Sequence, residues 1–407
     1  MILKCRSCGG KNLATVFSLG FMPLANAFLT KEQLEEPEQR YPLDLMFCSE
    51  CTLVQIMETV EPEILFRNYF YTSSVSNTTL ENAKEIALRM VEKKKLNENH
   101  IAIEIGSNDG YLLKNYVGFG IRSIGIDPAK NLASVAKENG VETWCGFFNL
   151  KMAKDLKEAG LQADVLHANN VLAHVADLHG VVEGIAHLLK PDGVAVIETQ
   201  YVRDMVDGGE FDCIYHEHLC QYSAESLAYL FQLHGMVMVN VEKIGIHGGS
   251  LRAYFQREDG PKSMMDKTLV DHFLWDESHD IQSPDFYRAL PKRATHLRTD
   301  LMALLHELKA KGKTVAVYGA PAKSTTLLNY FGIGKDLISH VVDRTPSKQG
   351  HFTPGTHLEI MDPEKAPRPD YYLLATWNFA DEIIKRQEDF RESGGRFIVP
   401  IPQLRIV

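Results

Sequence analysis

The sequence predicts an α/β protein in which a small N-terminal domain precedes two Rossmann-like domains. Two CxxC pairs mark the first domain. Two strand–loop–helix patterns, beginning at Ile101 and Lys313, each lead to a second strand that ends in aspartate. The chain has 407 residues, of which 45% are hydrophobic, and this length allows about two or three domains. We expect their boundaries at 1–75, 76–255 and 256–407.

The N-terminal segment carries two cysteine knuckles, Cys5-Arg-Ser-Cys8 and Cys48-Ser-Glu-Cys51. This spacing suits a tetrahedral four-thiolate zinc site. A redox-active CxxC is the alternative, but such a motif usually occurs once, at the start of a helix. Because four thiolates leave no open coordination position, the predicted zinc holds structure and takes no part in chemistry.

The first Rossmann-like pattern has an acidic strand end followed by a glycine loop. Glu104 lies near the end of the strand, Gly106 and Gly110 flank the loop, and Asp127 closes the next strand. Glycine permits close backbone approach and positive φ, and a carboxylate at a strand end can accept both hydroxyls of a ribose. A nicotinamide site or a plain turn is an alternative, but the loop is not GxGxxG and offers no diphosphate cradle.

This layout resembles that of class I S-adenosylmethionine-dependent methyltransferases. The resemblance implies cofactor contacts from Glu104, Gly106, Asn108, Gly110, Asp127, Pro128 and Asn170. An amphipathic helix over Glu81–Lys95 leads into the domain. Alternating strands and helices then predict a mainly parallel sheet covered on both faces. The predicted strands are Ala102–Ile105, Ser123–Ile126, Val165–Ala168, Val194–Thr199 and Val237–Val241.

The second Rossmann-like pattern has a loop of small residues, Gly319–Thr326, between strands at Thr314–Tyr318 and Ser339–Asp343. A helix N-terminus behind such a loop can bind an anion, and Lys323 and Ser324 would add a charge and a hydroxyl. A tight turn without a ligand is the alternative. The loop lacks GxxxxGK[ST], which argues against nucleotide hydrolysis.

Tyr215, His216, Glu217 and His218 form a run of proton-exchanging side chains that is poorly suited to a core. In an extended segment Tyr215 and Glu217 would share one face, and the two histidines the other. Alternate histidines can both reach a metal ion, although HExxH hydrolases need them one helical turn apart. A polar structural cluster is a further alternative. General acid–base catalysis is our preferred hypothesis, because the ordinary pKa of histidine, about 6.5, lies nearest neutral pH.

The composition argues against nucleic-acid and membrane partners. The net charge is −10, there is no basic block, and no apolar run approaches the roughly 18 residues that span a bilayer. We expect a cytoplasmic protein that acts as a monomer. Two other classes stay open. One is a zinc-ribbon RNA methyltransferase, which the acidic charge disfavours, and the other is a non-catalytic zinc-containing binding protein, which the cluster at 215–218 disfavours.

The motifs together resemble, over nearly the whole chain, the sugar C-methyltransferases of deoxysugar biosynthesis, and most closely those that methylate C-3. In chain order they are the two knuckles, Glu104–Gly110, Asn169–Val175, Tyr215–His218, His247–Arg252 and Gly319–Thr326. The resemblance implies a zinc-binding N-terminal domain, a central class I S-adenosylmethionine methyltransferase domain and a C-terminal Rossmann-like domain. It also implies a dTDP- or GDP-linked 4-keto-6-deoxy sugar bound between the last two.

The resemblance also implies roles for individual residues. His218 corresponds to the base, with Glu217, Tyr215, His174 and Tyr69 around the sugar. A carbon next to a ketone becomes a nucleophile only after losing a proton, and the enolate oxygen then needs a hydrogen-bond donor. His218 would take the C-3 proton, and the enolate would attack the methyl group in line. Further substrate contacts are expected from Tyr71, Ser73, His247, Ser250, Arg252, Lys323 and Ser324.

Overall fold

The N-terminal part of the protein is an antiparallel sheet. The structure, a computed structural model, describes residues 4–61, 65, 73–266 and 268–407. The sheet has four strands in the order β1-β2-β3-β9. The fourth strand, β9, lies far along the chain, between strands of the second sheet, so the two parts of the protein share a sheet. The strands are β1 (Leu13–Pro23), β2 (Arg40–Cys48), β3 (Val54–Ile56) and β9 (Cys220–Gln221).

The second sheet has seven strands in the order β10-β11-β8-β7-β4-β5-β6. Strands β4 to β8 run parallel, whereas β11 pairs antiparallel with both β8 and β10. The central strands are buried almost throughout, because helices cover both faces of a parallel sheet. The strands are β4 (Ile101–Ile105), β5 (Arg122–Asp127), β6 (Glu142–Cys145), β7 (Ala163–Asn169), β8 (Leu189–Gln200), β10 (Met236–Ile244) and β11 (Ser250–Arg257).

Seven helices of the described chain accompany this sheet, and the first shows how the sequence sets its limits. The Ser76 hydroxyl caps it by accepting the Thr79 N–H at 3.3 Å, and Lys95 ends it in the left-handed conformation. The cap places its start four residues before the predicted Glu81. The helices are α1 (Asn77–Lys94), α2 (Lys114–Val117), α3 (Lys130–Glu138), α4 (Leu150–Glu158), α5 (Leu178–Leu188), α6 (Val202–Gly208) and α7 (Ala224–Gln232).

The third sheet has six strands in the order β14-β13-β12-β15-β16-β17. All of them run parallel except β17. Its strands are β12 (Val315–Tyr318), β13 (Val341–Val342), β14 (Ile360–Met361), β15 (Tyr371–Leu374), β16 (Arg396–Val399) and β17 (Arg405–Ile406). The helices that follow β11 in the chain are α8 (Thr268–Glu277), α9 (Pro284–Tyr287), α10 (Ala289–Ala310), α11 (Ala322–Phe331), α12 (Ala380–Arg386) and α13 (Glu388–Glu392).

The predicted fold class, a small N-terminal unit followed by two Rossmann-like units, is confirmed. The boundaries at 75/76 and 255/256 stay predictions. Aromatic contacts pack the units against one another: Phe47 of β2 lies 5.1 Å from Tyr287 of α9, and Phe211 stacks on Phe331 of α11 at 5.0 Å between ring centroids. In the part of the chain that the structure describes, no helix has both the length and the apolar character needed to cross a membrane.

Candidate active site

The four knuckle cysteines converge, with all four sulfur atoms within 4.8 Å of one another. The Sγ atoms of Cys5 and Cys51 are 3.5 Å apart, as are those of Cys8 and Cys48. A tetrahedral ion with Zn–S bonds of about 2.3 Å separates its sulfurs by about 3.8 Å. Four converging thiols of this geometry therefore fit a structural zinc ion.

A glutamine connects the cysteine cluster to the region of the predicted base. Gln55 donates through Nε2 to the Cys5 sulfur at 3.2 Å and accepts the Arg6 N–H through Oε1 at 2.9 Å. Gln55 belongs to β3 and pairs in register with Cys220 of β9, two residues after His218. The four-cysteine cluster is thus linked through Gln55 and β3 to β9, the strand that follows the predicted catalytic segment Tyr215–His218.

The glycine loop after β4 packs closely against neighbouring segments of the protein. A Cβ on Gly106, where φ is +68°, would lie 2.7 Å from Val171 Cγ2, and one on Gly110, at φ +77°, would lie 3.3 Å from Ala136 Cα. Asn108 also has positive φ, at 50°. At Gly106 and Gly110 the positive φ and the close protein neighbours together require glycine.

Two buried carboxylates, Glu104 and Asp127, lie beside this loop. Asp127 accepts the backbone N–H of Asn108 through Oδ2 and of Ala129 through Oδ1, both at 2.8 Å. Burial raises the pKa of Glu104 well above its ordinary value, and the Asp127 and Asp109 carboxylates raise it further. Closely spaced acidic groups suit a ligand that brings hydroxyl donors and positive charge, as S-adenosylmethionine does. The residues present fit that cofactor.

The remaining predicted cofactor residues lie at the same edge of the sheet. Pro128 follows Asp127 directly at the end of β5. Asn170 follows β7 in the left-handed conformation, at φ 55°, and its N–H donates to the Glu198 carbonyl at 2.7 Å. The ends of parallel strands are where ligands bind in open α/β sheets.

Replacing Asp127 with alanine is expected to weaken S-adenosylmethionine binding by about 1.5–3 kcal/mol, roughly ten- to over a hundredfold, because a charge-assisted contact to the ribose is lost. Isothermal titration calorimetry measures the change. Asp192→Ala, which alters an exposed carboxylate after α5, is the matched control. Unchanged affinity in Asp127→Ala would place the ribose elsewhere.

The segment Tyr215–His218 is a turn rather than the extended segment considered from the sequence. The His218 N–H donates to the Tyr215 carbonyl at 2.9 Å. The turn places the Tyr215 hydroxyl 2.7 Å from His218 Nε2, with ring centroids 4.1 Å apart. The two side chains that alternation assigned to opposite faces are therefore in direct contact.

The tautomer of His218 follows from its partners. Nδ1 lies 3.0 Å from the Cys213 carbonyl, and because a carbonyl only accepts, Nδ1 carries the hydrogen. Nε2 is then a lone-pair acceptor for the Tyr215 hydroxyl. Burial, and next the neighbouring His174, lower the pKa of His218 well below its ordinary value. The ring is thus neutral at pH 7, with its basic nitrogen turned toward Tyr215.

His174 forms the opposite side of the cluster. It ends a 3₁₀ turn, Leu172–His174, and its ring meets that of His218 edge-on with centroids 4.8 Å apart. The Leu219 N–H donates to the Ala173 carbonyl at 2.7 Å and ties the two segments together. Burial lowers the pKa of His174 to about 4, so at neutral pH it is a neutral hydrogen-bonding group.

Glu217 and His216 point to different surroundings from His218. Glu217 is buried, and its Oε1 accepts from Asn26 Nδ2 at 2.7 Å. Burial raises the pKa of Glu217 to about 7, opposed by Asn26 and by the Lys348 charge. His216 donates through Nε2 to the Pro42 carbonyl at 3.3 Å, so it braces β2. The two histidines do not share a site.

The titration of Glu217 predicts a pH-dependent stability. A pKa raised from 4.5 to about 7 in the fold means that the native state holds a proton that the unfolded chain releases earlier. The free energy of unfolding therefore falls as pH rises through this window. Glu217→Gln, which keeps an acceptor for Asn26, should remove up to about 3 kcal/mol of that fall relative to wild type. Denaturant titrations at pH 4 and 8 measure it, and parallel pH curves would contradict it.

The predicted residues of the C-terminal side are distributed over two environments. Lys323, in the first turn of α11, donates to Asn378 Oδ1 at 2.7 Å, and its Nζ lies 4.3 Å from the Trp377 ring centroid. His247 has φ 56° and meets the Phe379 ring edge-on at 6.1 Å. Both are partly accessible, whereas Ser324 is buried. Lys323 and His247 remain candidates for contact with a ligand.

Ser250 and Arg252 lie inside the second sheet. The Ser250 hydroxyl donates to the Ile246 carbonyl at 3.1 Å. Arg252 is 0% exposed and its Nε donates to Glu198 Oε2 at 3.2 Å. Both side chains have hydrogen-bond partners inside the protein, which gives them a structural explanation, and their predicted contacts with the substrate stay predictions.

The predicted residues between the first two units are only partly described. The Ser73 N–H donates to Asn108 Oδ1 at 3.0 Å, so Ser73 adjoins the cofactor loop. Tyr69 and Tyr71 lie outside the described residues. Their predicted roles at the sugar stay predictions.

Several residues at the site were missed by the sequence reasoning. Asn26 reaches Glu217 across 191 positions, and Trp377 donates through Nε1 to Asp212 Oδ2 at 2.8 Å across 165 positions. Lys348 is buried and donates to the Ala320 carbonyl at 2.8 Å. None of these side chains lies in a motif, so no local signal in the sequence pointed to them.

Comparisons with known proteins match every part of the chain. Family profiles match for a zinc binding domain over residues 5–66, a methyltransferase domain over 77–241 and a C-methyltransferase C-terminal domain over 245–402. C-methyltransferase NovU of Streptomyces niveus is 35% identical over 99% of this chain and 96% of its own length.

More distant similarities cover less than half of the chain. The sterol 4-C-methyltransferase strm-1 of Caenorhabditis elegans is 26% identical over 40% of this chain and 49% of its own. The solved structure of the CcbJ methyltransferase from Streptomyces caelestis aligns with 43% of this chain and 89% of its own, at 14% identity and a TM-score of 0.34.

Proposed function

Since this chain belongs to the C-methyltransferase family, with S-adenosylmethionine as its methyl donor and one structural zinc ion, we propose that it methylates C-3 of a nucleotide-linked 4-keto-6-deoxy sugar. The full-length relationship to a C-methyltransferase disfavours both the RNA methyltransferase and the non-catalytic binding protein. The proposed substrate is dTDP- or GDP-linked, and the enzyme acts as a cytoplasmic monomer.

The observation that carries the proposal is the pairing of Tyr215 with a neutral His218. C-methylation next to a ketone needs a base for the C–H proton and a donor for the enolate oxygen. His218 Nε2 has a lone pair, and the Tyr215 hydroxyl that occupies it at 2.7 Å is a hydrogen-bond donor. Both chemical requirements therefore meet within one contact.

When the substrate binds, the hydrogen bond between Tyr215 and His218 would break, and each side chain would contact a different atom of the sugar. The Tyr215 hydroxyl turns to the C-4 oxygen, and His218 Nε2 takes the C-3 proton. His174, edge-on to His218 at 4.8 Å, is the second candidate donor to the oxygen. One such hydrogen bond typically contributes about 3 kcal/mol of transition-state stabilisation. Tyr69 would approach the sugar from the N-terminal side.

When bound, S-adenosylmethionine supplies an electrophilic methyl group on sulfur. The contribution of the protein is to hold the enolate carbon in line with that methyl, which accounts for a large part of such rate enhancements. Asp127, Glu104 and the loop Gly106–Gly110 would bind the donor. Lys323 at the start of α11, with His247, would face the diphosphate of the sugar nucleotide.

The test is incubation of the purified protein with S-adenosylmethionine and a panel of dTDP- and GDP-linked 4-keto-6-deoxy sugars, followed by mass spectrometry and NMR of the products. The expected result is a methylated sugar nucleotide with the new methyl on C-3. Matched sugars that lack the 4-keto group serve as controls and should stay unmodified. A methyl group on oxygen, nitrogen or C-5 would contradict the proposal.

A further inference from the structure

A short turn joins the predicted base to the C-terminal unit. The 3₁₀ turn Phe211–Cys213 follows α6, and its last carbonyl, that of Cys213, accepts the His218 Nδ1–H at 3.0 Å. That single contact decides which ring nitrogen of His218 holds the hydrogen. Whatever fixes the direction of the Cys213 carbonyl therefore controls whether Nε2 is free to act as a base.

Two buried hydrogen bonds from the C-terminal unit flank this carbonyl. Before it, Trp377 Nε1–H donates to Asp212 Oδ2 at 2.8 Å. After it, the Thr326 hydroxyl donates to the Ile214 carbonyl at 3.1 Å. Trp377 follows β15, and Thr326 lies in α11. Residues on both sides of Cys213 are thus held by the domain that does not itself carry the base.

Because these two hydrogen bonds are buried, they limit how far the turn around Cys213 can move. Asp212, Trp377 and Thr326 are all buried, and a buried acceptor that loses its donor is costly. Phe211 stacks on Phe331 of α11 at 5.0 Å, so the turn also packs against the same helix. Because peptide units are planar, fixing the neighbours of Cys213 leaves its carbonyl little freedom to rotate away from His218.

We propose that Trp377 and Thr326 are positioning residues through which the C-terminal domain keeps His218 in its Nδ1–H tautomer. Neither touches the reacting atoms, and each acts through the turn. The effect of the tautomer on kcat rests on the proposed function, in which His218 is the base, whereas the effect of Trp377 and Thr326 on the tautomer does not. The C-terminal domain then has a second task besides contact with the sugar nucleotide: it prepares the base.

The experiment combines a structural and a kinetic readout on the full chain. Protein labelled with ¹⁵N in histidine reports by NMR which ring nitrogen of His218 carries the hydrogen, with His218→Asn used to assign the signal. The test variants are Trp377→Phe, which keeps the ring without the N–H, and Thr326→Val. In the double variant we expect mixed or reversed tautomer signals and a kcat lower by about ten- to a hundredfold, with KM little changed.

Two matched variants separate positioning from general loss of stability. Thr325→Val removes the neighbouring hydroxyl of α11, which donates to the Ala25 carbonyl at 2.9 Å, and should leave the His218 signal and kcat as in wild type. Thr326→Ser keeps the hydroxyl that donates to the Ile214 carbonyl, so this variant should show the wild-type His218 signal and the wild-type kcat. If the double variant keeps the wild-type tautomer, or if Thr325→Val shifts it equally, the inference is overturned.

The outcomes also distinguish this inference from the proposed function. A changed tautomer with unchanged kcat would support the positioning by Trp377 and Thr326 and remove His218 as the base. An unchanged tautomer in the double variant, together with loss of activity in His218→Asn, would leave the base in place and refute its control by the C-terminal domain.

Discussion

Replacing His218 with asparagine is expected to lower kcat by about 10²–10⁴-fold while both ligands still bind. Asparagine can keep a hydrogen bond to the Cys213 carbonyl, but it cannot accept a proton at neutral pH. The low pKa of His218, which burial causes, means that the wild-type ring is already in the proton-accepting form. Steady-state kinetics measures kcat, and calorimetry measures the two affinities.

The matched control is His216→Asn, two positions away. Its Nε2 contacts the Pro42 carbonyl of the N-terminal sheet at 3.3 Å, so turnover by the folded variant should stay near that of wild type. If His218→Asn keeps full turnover and Tyr215→Phe or His174→Asn loses it, the role of base passes to the residue whose loss stops the reaction.

Replacing Cys48 with serine is expected to remove the zinc ion and to unfold the N-terminal sheet. Wild-type protein should contain about one zinc per chain, and structural sites of this kind contribute about 10–16 kcal/mol to the folding of zinc-finger peptides. Because Gln55 joins Cys5 to a strand paired with β9, activity should fall as well. Metal analysis, denaturant titration and a methylation assay record the three effects.

Cys145→Ser provides the control for this prediction, since Cys145 is exposed and lies outside the four-sulfur cluster. It should keep zinc, stability and activity. Stoichiometric disulfides in the native protein, or full activity without metal, would show that the four cysteines do not hold a structural zinc.

The elements that the sequence predicted correctly are those with a local signal. The strand Ile101–Ile105 follows from an apolar run that is visible within about ten residues. A helix was likewise expected behind the small-residue loop Gly319–Thr326, but it begins at Ala322, inside that predicted loop. The knuckles are equally local, because only their spacing matters. These patterns do not depend on which distant segments later meet.

The chemistry of the site depends on contacts that no local pattern contains. Alternation placed Tyr215 and His218 on opposite faces, whereas a turn pairs them, because the His218 N–H closes back onto the Tyr215 carbonyl. The partner that sets the His218 tautomer is a main-chain carbonyl, that of Cys213, and every residue has one. The residue type at position 213 therefore does not reveal that its carbonyl sets the tautomer of His218.

Arg252 is a residue for which the sequence motif suggested contact with a ligand, whereas the structure shows an internal ion pair. It lies on β11 and pairs with Glu198 of β8 inside the sheet. A buried charge is tolerated when a partner of opposite charge satisfies it. From the sequence alone a guanidinium near a glycine pair resembles a ligand contact, because the partner lies 54 positions away.

If His218 generates an enolate at C-3 of the sugar, deuterium from the solvent should enter that carbon without methyl transfer. Wild-type protein, mixed in heavy water with a 4-keto-6-deoxy sugar nucleotide and a cofactor analogue that cannot transfer methyl, should place deuterium on C-3, as read by NMR. His218→Asn should bind both ligands and place none. Exchange that persists at the wild-type rate in His218→Asn would contradict the account.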